Sequence, residues 1–151
     1  MKRTDVFLPE IEKYYDATLL KILPDYGFGG KKLGHVIVTE GGKTLRMSGV
    51  PALSEHGVKG VGDMGIQTTQ ALELIRLQVE RAGATWDDII HFIFYFTDRE
   101  QFHKKALPAR WEYFKKHSKT GRAPLITSIG VTALMHPDMM IEIEATAVFD
   151  R

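Results

Sequence analysis

The chain contains no cysteine, which excludes disulfide staples, zinc–thiolate centres and a cysteine nucleophile. It also lacks a surplus of charge of either sign: 20 Lys and Arg face 19 Asp and Glu, for a formal net charge of +1. That balance supplies no electrostatic reason to expect nucleic acid or an anionic membrane as a partner. The densest basic runs are mere pairs, Lys31-Lys32, Lys104-Lys105 and Lys115-Lys116. No window approaches the roughly 18 apolar residues of a membrane span, and the opening MKRTDVFLPEIEKYY has no apolar signal core. The expectation is a cytoplasmic protein with neither a membrane nor a nucleic-acid partner. What is present is ordinary for a globular domain: 151 residues, 44% hydrophobic and 26% charged, enough for one core and too little for two.

Hydrophobic spacing divides the chain in two. In residues 1–34, Ile11, Tyr14, Tyr15, Thr18, Leu19 and Ile22 recur at helical spacing between Pro9 and Pro24, which predicts a short amphipathic helix. DYGFGGKKLG follows, too rich in glycine to be anything but loop. From residue 35 to 151 the pattern is denser. His35–Thr39 and Thr44–Gly49 flank Gly41-Gly42 and read as a hairpin. Asp63 is placed to cap a helix over 64–82 whose stripe is Ala71, Leu72, Ile75, Val79 and Ala82, with Gln67, Gln70, Glu73, Arg76 and Glu80 left to solvent. Ile89–Thr97 is nearly all apolar and predicts a central strand buried on both faces. His91, inside it, reads as a core or interface residue.

Asp98 begins a second helix through Phe102, Ala106, Trp111 and Phe114, ending near His117. Pro108 must kink it or sit in a restarted first turn, because proline has no backbone N–H to give. Two further strands, about 125–131 and 139–149, are separated by a turn at His136-Pro137-Asp138. The order predicts an α+β layer, with two helices packed on one face of a mixed sheet. The other sheet face keeps apolar residues that a second copy would cover.

Several chemistries are absent. There is no G-x-S-x-G elbow around Ser48. The six histidines, His35, His56, His91, His103, His117 and His136, form no i, i+4 pair on a helix, so no metal site is expected. Along the last strand, Glu142 and Glu144 share one face while Ile141, Ile143 and Ala145 share the other. Two such carboxylates must meet water, a cation or a cleft.

Taken in order, certain words resemble a known family. These are Arg46-Met47-Ser48-Gly49, Gln67-Thr68-Thr69-Gln70-Ala71-Leu72, Ala82-Gly83-Ala84 with Trp86-Asp87-Asp88-Ile89-Ile90, Phe96-Thr97-Asp98 with Phe102, and the closing stretch from Pro124 through Ser128, Leu134 and Pro137 to Ile141-Glu142-Ile143-Glu144-Ala145 and Val148. Over about residues 36–149 they are similar to the reactive intermediate deaminase family, the Rid or YjgF-like proteins, also called endoribonuclease L-PSP-like. The resemblance implies a chorismate-mutase-like fold assembled as a homotrimer, with clefts for a small-molecule substrate between subunits and no metal or organic cofactor. Residues 1–34 then form an N-terminal extension and 35–151 the Rid-like domain. Glu142 matches the cleft carboxylate that positions the hydrolytic water.

The chain departs from the pattern at Ile126, which stands where deaminating members carry the arginine that clamps a substrate carboxylate. Isoleucine cannot pair an anion. Arg122, just upstream, either swings a guanidinium to a similar place or is a solvent-exposed loop residue. Ser128 occupies the position of a small residue, often cysteine. His35, near a family tyrosine, serves as an acid or base or simply starts a strand. The expected function is hydrolytic deamination of an enamine or imine outside the simple 2-imino acids. The alternatives are a non-catalytic small-molecule-binding trimer and an endoribonuclease; neutral charge and the lack of an interleaved basic and aromatic patch speak against the last.

Overall fold

The structure, a computed structural model, describes residues 1–6, 9–18 and 36–150. In chain order its elements are β1 (Lys2–Val6), α1 (Pro9–Thr18), β2 (Val36–Glu40), β3 (Lys43–Arg46), the two-residue strands β4 (Val50–Pro51), β5 (Leu53–Ser54) and β6 (Gly57–Val58), and α2 (Met64–Arg81). There follow β7 (Ile89–Phe96), α3 (Arg99–Gln101), a π turn (Phe102–Ala106), α4 (Leu107–His117), β8 (Leu125–Gly130) and β9 (Ile141–Phe149). The glycine-rich loop, His35 and the predicted helix beyond Thr18 lie outside the described residues.

The main sheet runs β3-β9-β7-β8, with β4 also paired to β9. Only β7 and β8 are parallel. Strand β9 alternates strictly from Ile141 to Ala147: Ile141, Ile143, Ala145 and Ala147 are at most 3% exposed, and the residues between them are half-buried. On β7 the same buried side carries Phe92, Phe94 and Phe96. Against them pack Leu72, Ile75 and Val79 of α2 and Tyr113 and Phe114 of α4. Trp86 seals one end, its ring 5.5 Å from Phe92 and 5.2 Å from Tyr113. This is the expected α+β arrangement, a mixed sheet with its helices on one face.

Four details differ from the sequence reading, each for a physical reason. The hairpin across Gly41-Gly42 is not a pair. Both glycines turn the chain at positive φ, 73° and 87°, but β2 pairs with β1 and β3 pairs with β9. Strand β1 itself, KRTDV, carries almost no apolar signal and is a strand because β2 offers it an edge. Strand β7 is not sealed on both faces: His91, Ile93 and Tyr95 on the helix-free side are only half-buried in the single chain. Gln67, expected in solvent, is completely buried. Its amide donates to the carbonyls of Gly60 and Asp138 and accepts from the N–H of Met140, at 3.2, 2.8 and 2.8 Å.

Helix starts follow the sequence closely. Asp63 accepts from the N–H groups of Gly65 and Ile66 and also pairs with Lys105, while Asp98 accepts from Gln101. Pro108 sits in the first turn of α4, and the preceding π turn closes with the Leu107 N–H on the Phe102 carbonyl. The wider turn lets the chain enter α4 where proline leaves no donor.

Between α2 and α4, Glu73, Arg76, Glu80 and Tyr113 form a polar cluster, with Arg76 bonded to both carboxylates and the Tyr113 hydroxyl donating to Glu73. The Arg76 guanidinium, helped by Tyr113, holds the Glu73 carboxyl at about 2 against an ordinary 4.5. Because this pKa is depressed on folding, its stabilisation is full above about pH 4.5 and disappears as pH falls toward about 2. Urea midpoints should therefore decline through that window, and Glu73→Gln should flatten the decline; an acid limb identical in both proteins would remove this cluster from the account.

Candidate functional site

The helix-free face of the sheet is set by register. Residues opposite one another across paired strands share a face. Glu142 lies opposite Tyr95, which lies opposite Ile129; Glu144 lies opposite Ile93, then Thr127. Thr146 lies opposite both Arg46 and His91. The side chains of Glu142, Glu144, Tyr95, His91 and Thr127 therefore project from the side without helices.

Two pairs on this face are already satisfied. The Tyr95 hydroxyl donates to Glu144 Oε1 at 3.0 Å, and that bond raises the phenol's pKa, since the neutral hydroxyl is the form that donates. His91 Nε2 lies 3.0 Å from Thr127 Oγ1. Burial lowers the His91 pKa, partly opposed by the Glu144 carboxylate. Glu142 is different: among the described residues its carboxylate makes no hydrogen bond or ion pair. It leans instead over Gly49, where an added Cβ would stand 1.8 Å from Glu142 Oε1. Glycine is needed there for space. The Gln67 amide, bonded to residues 138 and 140, fixes the segment that delivers Glu142 into β9.

The other candidates are placed less simply. Ile126 is opposite Phe92 and packs on the core from the helix side. Ser128, opposite Phe94, is on that same side but exposed, because β8 is an edge strand. Within one chain, neither shares a face with Glu142. Arg122 lies three residues before the start of β8, whose first residue, Leu125, is opposite His91 and stands about 13 Å along the strands from the Tyr95 rung. It is half-exposed and faces Asp5 Oδ2 of β1 at 3.8 Å. Beside it, Arg3 donates to Asp5 and to the Ala123 carbonyl, both at 2.7 Å. His35 lies outside the described residues.

Sequence reasoning missed Gln67 and Gly49 as parts of the site. Both were visible only as members of longer words, because a glutamine at a helix's polar edge and a glycine after a strand have many ordinary explanations. A groove of about 1030 Å3 lies elsewhere, between α2 and α4. Three of its four lysines are occupied, Lys59 with Gln70, Lys105 with Asp63 and Lys115 with Glu112, and it does not include Glu142. Among the described residues no cluster of three His, Cys, Asp or Glu could hold a metal, and no helix is long and apolar enough to cross a membrane.

The sheet order and the helices on one face define the chorismate-mutase-like fold of the YjgF and Rid proteins. The sequence profile described as Endoribonuclease L-PSP matches residues 33–149, and the chain belongs to that family, the Rid/YjgF-like proteins. Among solved structures it is similar to YyfB of Yersinia pestis, described as a conserved Rid-family protein of unknown function. That likeness has 24% identity and a TM-score of 0.76, over 99% of this chain and 100% of the other. It is also similar to TdcF of E. coli, solved with bound serine, at 25% identity and a TM-score of 0.64 over 79% and 91% of the two chains. The E. coli YjgF product shares 26% identity and a TM-score of 0.63 over 74% and 84%. No curated protein matched the sequence.

The close approach at Gly49 is open to a direct test. Gly49→Ala should keep the fold, as read by circular dichroism, because the clashing atoms are the end of a flexible side chain. In a crystal structure of the variant the Glu142 carboxylate should be displaced; an unmoved carboxylate would contradict the packing described above.

Proposed function

We propose that the chain is a hydrolytic deaminase of an enamine or imine small-molecule intermediate outside the simple 2-imino acids. It works as a cytoplasmic homotrimer without metal or organic cofactor. The observation that carries this reading is the contrast between the two carboxylates of β9: Glu144 is held by Tyr95, whereas Glu142 stands above a glycine with no partner among the described residues. An uncommitted carboxylate at the edge of an unpartnered sheet face is free to hold a water. Family membership supports a small-molecule-processing role, and the serine bound to TdcF is a small amine-bearing ligand on a related fold.

In the reaction, Glu142 orients a water toward the C=N carbon and accepts its proton as the C–O bond forms. The C=N π electrons move to nitrogen. The proton held by Glu142 passes to that nitrogen to give the carbinolamine. Glu142 then takes the carbinolamine's hydroxyl proton and delivers it to the nitrogen as the C–N bond breaks, leaving a carbonyl and free ammonia. Positioning and proton transfer are the chain's contribution. The half-buried side chains of the helix-free face are those a neighbouring subunit would cover, completing the cleft.

Ile126 on the core supports the shift away from 2-imino acids, since a branched apolar side chain there holds no carboxylate. The same observation favours a second reading, a trimer that binds a metabolite without turning it over. An endoribonuclease activity has only the family's name behind it.

Ammonia release from freshly generated imines and enamines, coupled to a spectrophotometric readout, decides between the readings. Wild type should exceed buffer for at least one ring-cleavage-type substrate, and Glu142→Gln should reduce kcat by about a hundredfold or more. Thermal stabilisation by such compounds with no ammonia released would favour the binding trimer instead.

A further inference from the structure

Arg46, on the helix-free face, is a cation that no side chain among the described residues answers. Arg46 ends β3 directly opposite Thr146, on the same side as Glu144 and Glu142. Its neighbours Leu45 and Met47 pack on the core from the helix side, so alternation along the strand sends Arg46 the other way. It is exposed, and no ion pair or hydrogen bond of its side chain occurs among the described residues.

From Arg46 the chain passes through exposed Ser48 to Gly49, the residue over which the Glu142 carboxylate leans. The Arg46 and Glu142 rungs stand four residues apart along β9, about 13 Å. The lean of Glu142 toward Gly49 shortens that gap. The result is a lane with a cation at one end, a carboxylate at the other, and a hydroxyl and a bare glycine backbone between.

We propose that Arg46 binds the anionic group of the ligand whose nitrogen-bearing carbon faces Glu142. This rests on the reading of Glu142 given above and sharpens it by naming the ligand class: a molecule with a carboxylate several bonds from its C=N carbon, rather than directly attached as in a 2-imino acid. A clamp at Arg46 suits that longer spacing, and Ile126 on the core leaves the short spacing unserved. The ordinary alternative is an edge-strand charge that only keeps β3 soluble.

The probe is 5-aminopentanoate, a stable amine with a distant carboxylate, compared with pentylamine, which has none. Affinity is measured by calorimetry on the full chain, with thermal midpoints as a control for folding. Wild type should bind 5-aminopentanoate, Arg46→Ala should weaken it by about ten- to a hundredfold, as expected for a lost charge-assisted hydrogen bond, and Arg46→Lys should restore part of it. Pentylamine should be unaffected by either substitution. Failure of wild type to bind the probe, or equal binding by Arg46→Ala, overturns the assignment. Arg46-dependent binding without ammonia release from any imine leaves Arg46 in place and sinks only the deaminase reading.

Discussion

Strand β9 must lie in one register between β3 and β4 on one side and β7 on the other, and the candidate site depends on that. Its alternation puts four nearly inaccessible side chains into the core and two carboxylates on the opposite face. A slip of one residue would bury Glu142 and Glu144 and expose Ile141 and Ile143, exchanging hydrophobic burial for unpaired buried charge. The register is pinned at its entry by Gln67, whose amide holds the backbone at residues 138 and 140. A fully buried glutamine with both amide hydrogens and its carbonyl bonded is therefore as much a part of the site as the carboxylate it delivers.

Much of the architecture was legible because the signals were local. Two aspartates with caps, an 18-residue amphipathic helix, a run of aromatic residues and an alternating last strand each state their own structure. The pairing of β2 was not legible. Gly41-Gly42 is turn chemistry, and a turn declares that the chain changes direction without declaring which strand lies beside it. The N-terminal strand has too few apolar residues to announce itself. Its place is held by Arg3 and Asp5 near the start of β8 and by the terminal amine, which pairs with Asp150.

For the site, sequence alone indicated the face shared by Glu142 and Glu144, and the register confirms it. What it could not separate was which carboxylate is committed. That depends on Tyr95 standing on the neighbouring strand within reach of Glu144, a contact across 49 residues of chain. Ile126, Ser128 and Arg122 follow the same logic. Their identities were readable, but their faces and partners are properties of β8 as an edge strand and of β1, which meets Arg122 through Asp5.

The π turn at Phe102–Ala106 has a further bearing on the helix layer. A wide turn is one residue more than a regular helix would use, and each residue turns a helix by about 100°. Without that residue, the face of α4 would be rotated away from the sheet and from α2. Arg110 would leave the Phe94 ring, 5.1 Å away, and Tyr113 would leave Glu73. The phase of the whole second helix is thus set by a single surplus residue just ahead of a proline, so a one-residue deletion there is a rotation of the helix rather than a shortening of it.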